Sequence, residues 1–167
     1  MIKELGFSYT PSLFNNIKTK QSINRACARF TQRFPQYIWN DSVVEGKAYT
    51  YPLVKTVLDG ETHGGSKLSD KNDIMNQKRS LEKLISLVKQ GKFDLSKDSF
   101  CSLHDLSARE EALSWGVFRT GSVGVAGTNY APPSAENLDK IYSQGMQYIK
   151  SINNTVEKAV VFFLFGS

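Results

Sequence analysis

Trp115-Gly-Val-Phe-Arg-Thr-Gly-Ser-Val-Gly-Val-Ala-Gly-Thr-Asn-Tyr-Ala-Pro-Pro133 separates two lengths of chain that both read as helix, and the fold turns on how this stretch is taken. Four glycines, Gly116, Gly121, Gly124 and Gly127, are interleaved with Val117, Phe118, Val123, Val125 and Tyr130, which is the vocabulary of a short hairpin. A glycine within a strand gives up packing and belongs where the backbone turns sharply or another chain comes close. The stretch therefore predicts a hairpin over Phe118 to Thr128, either an ordinary surface connection between helices or one built to be approached. The expected fold class is all-α, mainly helical, with this one β-hairpin.

On the N-terminal side, Gly6 and Pro11 mark residues 1–11 as an irregular arm. Ser12 precedes Leu13, Phe14 and Ile17 and predicts a helix from there to about Phe34, interrupted near Lys20, so that residues 1–34 form a helical arm. Pro35 is expected to end it, because a residue before proline avoids the helical region. A short helix over 36–46 follows, anchored by Tyr37, Ile38, Trp39, Val43 and Val44 and stopped by Gly46. Thr50 caps a helix over Tyr51 to Asp59 with Pro52 in its first turn, and Gly60 closes it. Asp70 to Gln90 carries Ile74, Leu81, Leu84, Ile85 and Val88 at helical intervals before Gly91.

Ser96 or Ser99 caps a shorter helix whose inward side holds Phe100, Leu103 and Leu106, with His104 beside it read as a core histidine donating to a carbonyl. His63 lies in a loop with Gly64 and Gly65 and reads as facing solvent. C-terminal to the glycine-rich stretch, Ser134 caps a helix bearing Leu138, Ile141, Tyr142 and Ile149. Ala159 to Phe165 is apolar all round, a pattern that requires other helices about it, and the chain reads as though it stops inside a domain.

At 167 residues, 40% hydrophobic and 22% charged, the chain suits one domain with a real core. No run approaches the ~20 apolar residues of a membrane span, and Met1 to Ser12 lacks signal-peptide character, so a cytoplasmic protein without a membrane partner is expected. Cys27 and Cys101 lack metal-like spacing and read as two buried, reduced thiols. Lys3, Lys18, Lys20, Arg25, Arg29 and Arg33 face the single acid Glu4 across the first 33 residues and account for the whole net charge of +5. Arg25, Arg29 and Arg33 share one helical face, which reads as solvated before it reads as a nucleic-acid surface.

Two segments in combination resemble the Fic family, whose members transfer AMP from ATP to a hydroxyl of a target protein. Asn40-Asp41-Ser42-Val43-Val44-Glu45-Gly46, followed by Thr50, looks like the family's inhibitory helix motif of Ser or Thr, three residues, then Glu and Gly or Asn. Gly116, Phe118-Arg119, Val123, Val125, Gly127, Tyr130 and Pro132-Pro133 fall where that family has its flap, and Asn76 and Leu103-His104 also sit at family positions. The resemblance spans roughly Trp39 to Phe165. Asp41 stands where Ser or Thr is usual, with Ser42 next to it, and the family's His-Pro-Phe-x-x-Gly-Asn-Gly-Arg loop does not occur in these 167 residues.

The resemblance implies a Fic-type helical bundle in which Asp41, Ser42, Glu45 and Gly46 are inhibitory. It also implies that Arg119, Thr120, Gly121, Ser122, Val123, Gly124, Val125, Ala126 and Gly127 form the target-docking flap. ATP with Mg²⁺ is the implied cofactor, and the partner is a hydroxyl-bearing target protein or the chain itself. No catalytic residue and no metal ligand is assigned to this chain, which is expected to be inactive as given. Two other readings remain: a non-catalytic protein-binding module that uses the hairpin edge, and a basic helical nucleic-acid binder. Oligomeric state is left open.

Overall fold

The computed structural model describes residues 2–17, 21–61, 67–124, 127–128 and 130–166. Among these the chain forms seven α-helices: α1 (Ile23–Gln32), α2 (Phe34–Val44), α3 (Tyr51–Leu58), α4 (Leu68–Lys89), α5 (Lys97–Ser107), α6 (Leu138–Ser151) and α7 (Thr155–Gly166). Short 3-10 turns occupy Pro11–Phe14 and Ala135–Asn137. The expectations for His63, Val125 and Ala126 lie outside the described residues.

The all-α expectation holds, and the hairpin does not: no strand forms among the described residues. An isolated two-stranded hairpin is marginal in water, and Gly121, Gly124 and Gly127 offer no side chains for cross-strand pairs. The Arg119 guanidinium instead donates to the carbonyls of Gly121 (2.9 Å) and Pro133.

The helix ends follow local rules. After α2, α3 and α4 the chain passes through Gly46, Gly60 and Gly91, all at positive φ (73°, 81° and 65°). Each glycine N–H bonds back to the carbonyl of Val43, Val57 or Val88, and the next residue's N–H reaches Ser42, Thr56 or Leu87. This paired closure satisfies carbonyls that a helix end leaves open. Thr50 caps α3 as its sequence predicts, its hydroxyl accepting from the Leu53 N–H at 3.3 Å.

Three boundaries differ from expectation. The helix expected from Ser12 is only the turn Pro11–Phe14, and the first long helix starts at Ile23 with Ser22 as its cap. Pro35 does not separate two helices; it stands in the first turn of α2, where a missing N–H breaks no intrahelical bond. The glycine-rich stretch is followed by the turn Ala135–Asn137, with Ser134 at its cap position, and α6 begins only at Leu138.

The structure divides into two compact units. The unit of residues 21–94 and 98–117 is built on Phe34, Ile38, Val54, Val57 and Ile74, with Phe30, Trp39, Tyr49, Leu81 and Ile85 packed around them. Phe34 and Ile38 are buried one turn apart on α2, and Ser42 continues that line, its hydroxyl donating to the Ile38 carbonyl at 2.7 Å. Val43 and Val44, expected as anchors, point outward at 53% and 87% exposure because they lie off this line.

The other unit, residues 1–20, 95–97 and 118–167, has a core of Leu5, Met146, Ile149, Ile152 and Val161. Here α6 and α7 approach closely at Gly145, where any Cβ would collide with the Phe165 ring. The Tyr9 hydroxyl donates to Glu157 Oε1 at 2.7 Å and ties the N-terminal arm to α7. On α7 only Val161 is buried, while Phe163 and Leu164 are 70% and 45% exposed. No helix among the described residues is long and apolar enough to cross a membrane.

Candidate functional site

The C-terminal end of α2 brings together the residues with the most unusual electrostatics. Glu45 is the C-cap, Gly46 turns left-handed, and Lys47 closes the turn through its N–H to the Ser42 carbonyl at 2.8 Å. That reversal brings the side chains on either side of Gly46 together: Lys47 Nζ lies 2.7 Å from Glu45 Oε2. The same ammonium lies 2.9 Å from Asp73 Oδ2, on α4, and pairs with Glu111 Oε1 in the chain after α5.

Three carboxylates thus share one cation. The Lys47 and Asp73 side chains are only 18% and 9% exposed, whereas those of Glu45 and Glu111 are 49% and 42% exposed. Burial alone would lower the Lys47 pKa, but the bonds to Glu111, Glu45 and Asp73 outweigh it and hold the ammonium above its ordinary value. Glu111 is nonetheless shifted up by burial, which the bond to Lys47 only partly offsets, and the neighbouring Asp73 adds to the rise. A single ammonium cannot neutralise three carboxylates, so the surplus negative charge falls on the more exposed members.

Tyr49 completes this corner. Burial and the neighbouring Asp73 carboxylate push its hydroxyl above the ordinary value, and its carbonyl accepts the Trp39 indole N–H at 3.1 Å. Asp73 Oδ1 is buried without a hydrogen-bond partner among the described residues. One turn further along α4, Asn76 is buried; its amide donates to the Arg109 carbonyl at 3.0 Å and its oxygen accepts from Arg79 at 3.0 Å.

Of the expected inhibitory residues, Glu45 is exposed and ion-paired, Gly46 supplies the left-handed turn, and Ser42 is buried on its own helix. Asp41 lies on the exposed side of α2, its pKa raised by partial burial and then by Glu45. Of the docking residues, Thr120 to Gly124 are exposed throughout, and Arg119 is held by Gly121 and Pro133. Gly127 is exposed at a φ of 76°.

His104 differs from the expected carbonyl donor: its Nδ1 accepts the Gly116 N–H at 3.1 Å. Gly116 sits at a φ of 71°, and a Cβ there would lie 2.9 Å from Asp105 Cβ. The start of the glycine-rich stretch is therefore anchored by a side chain and by the absence of one. Cys27 is buried as expected, and Cys101 only partly so. Arg25, Arg29 and Arg33 are exposed.

Sequence reasoning passed over Lys47, Tyr49, Asp73 and Glu111. The one available signal was that Asp73 and Asn76 flank Ile74 on the buried side of α4, where an unpaired acid would be costly. No family model, no curated protein and no solved structure matches this chain.

Proposed function

We propose that the chain belongs to a Fic-type nucleotidyltransferase that moves AMP from ATP to a hydroxyl side chain of a target protein. In this reading Glu45 is an internal inhibitor and residues 119–127 dock the target. The observation that carries it is Glu45 itself: a half-exposed carboxylate at the C-terminus of α2, where an acid is unfavourable with the helix dipole, with its backbone set by the turn at Gly46 and its side chain ion-paired with Lys47. A carboxylate kept there against local preference is suited to contact something other than its own helix. A negative charge at that point repels a phosphate and competes for any guanidinium that would bind one.

The docking role is supported by the exposure of Thr120 to Gly124 outside any sheet. An extended backbone with small side chains can hold a partner strand through main-chain hydrogen bonds, with little demand on the partner's sequence. Mg²⁺ does not fit the residues present: among those described, no three His, Cys, Asp or Glu side chains are grouped to hold a metal, and Lys47 stands between the acids that converge.

The test uses the reading frame extended through a His-Pro-Phe-x-x-Gly-Asn-Gly-Arg loop. Glu45→Gly should raise self-modification from labelled ATP severalfold; a fall in transfer overturns the inhibitory role. The exposed segment equally favours a second reading, a non-catalytic module that holds an extended peptide. A reading frame without that loop favours it.

A further inference from the structure

Lys47 pairs with Glu45 while it is itself anchored by Asp73 and Glu111. A cation placed beside Glu45 only to offset the helix dipole would need no such anchor. We infer that Lys47 is a positioning residue that withholds the Glu45 carboxylate, so that the strength of inhibition is set by competition between Lys47 and the cationic group Glu45 must reach to block the nucleotide. This rests on the reading of Glu45 as inhibitor.

The geometry supplies both halves of such a device. Lys47 is fixed at its backbone by the 2.8 Å bond to Ser42 and at its ammonium by Asp73, whose side chain is almost fully buried and cannot move away with it. Glu45 is fixed only at its backbone, and its half-exposed carboxylate can leave Lys47 for another partner without uncovering a buried charge. Glu111, also partly exposed, competes with Glu45 for the same ammonium. The arrangement therefore predicts effects of opposite sign on Glu45 from removing the cation and removing the competitor.

Carboxylate footprinting of the 167-residue chain with a carbodiimide and an amine reads the release of Glu45 directly. Lys47→Met alone leaves Asp73 buried and uncompensated, so it is paired with Asp73→Asn, which removes that charge and keeps the shape. In the double variant Glu45 labelling should rise severalfold; in Glu111→Gln it should fall below wild type. Amide exchange at positions 45, 46 and 47 should remain slow in both. Unchanged Glu45 labelling, the same sign in both variants, or loss of amide protection overturns the inference and leaves Lys47 a structural residue. In the extended protein the double variant should lower AMP transfer when Glu45 is present and leave it unchanged in the Glu45→Gly background. If Glu45→Gly raises transfer but the double variant lowers it equally in both backgrounds, the inhibitor reading stands and the Lys47 inference falls. If Glu45→Gly fails to raise transfer, the inhibitor reading itself falls.

Discussion

Glu111 shows how one residue reports the charge balance of the whole cluster. Its pKa is raised first by burial and then by Asp73, while Lys47 pulls the other way. A carboxyl whose folded-state pKa exceeds its unfolded value adds stability below the unfolded value and loses it as the pH rises through the folded one. The window therefore opens at the ordinary glutamate value of about 4.3 and extends upward. Glu111→Gln should gain on the wild type in urea midpoint as the pH is raised from about 4 to about 7, since the amide cannot ionise. A wild type that gains instead would mean that Lys47 outweighs burial at this site.

Among the elements, the end of α2 separates intrinsic backbone preference from packing. A Cβ on Gly46 would meet nothing within 4 Å, yet its φ of 73° is a conformation that disfavours any other residue. Gly46→Ala should cost about 1 kcal/mol in equilibrium unfolding, all of it from the left-handed turn. Gly121→Ala, also in open space but without a positive φ, should change stability by no more than about 0.5 kcal/mol. Equal costs at the two positions would show that the closure of α2 contributes nothing special. The stops at Gly46, Gly60 and Gly91 and the cap at Thr50 were legible in the sequence because each depends on a few neighbouring residues. The expected hairpin is not among the described elements, because residue types that favour strands do not form one where no sheet receives it.

Across the molecule, the net charge of +5 is carried by the first 33 residues, and the described part of that excess includes the exposed Arg25, Arg29 and Arg33. Changing all three to Gln should leave the melting temperature nearly unchanged, because solvated charges on a helix face contribute little. The wild type should show no duplex DNA binding that weakens steeply with salt, the signature of phosphate-driven affinity. Such a salt slope, abolished by the triple change, would restore the nucleic-acid reading. The sequence by itself determined the helical class, the apolar spacing of α4 and the points where α2, α3 and α4 stop, since these follow from residue spacing and from glycine's backbone freedom. Only the tertiary structure decided that Pro35 belongs inside α2, that His104 receives the Gly116 N–H, and that Lys47 meets Asp73 and Glu111. Those contacts join residues far apart in the chain, and an ion pair or a long-range hydrogen bond leaves no periodic trace in the sequence. It exists only once the apolar faces have packed and fixed which polar groups are buried together.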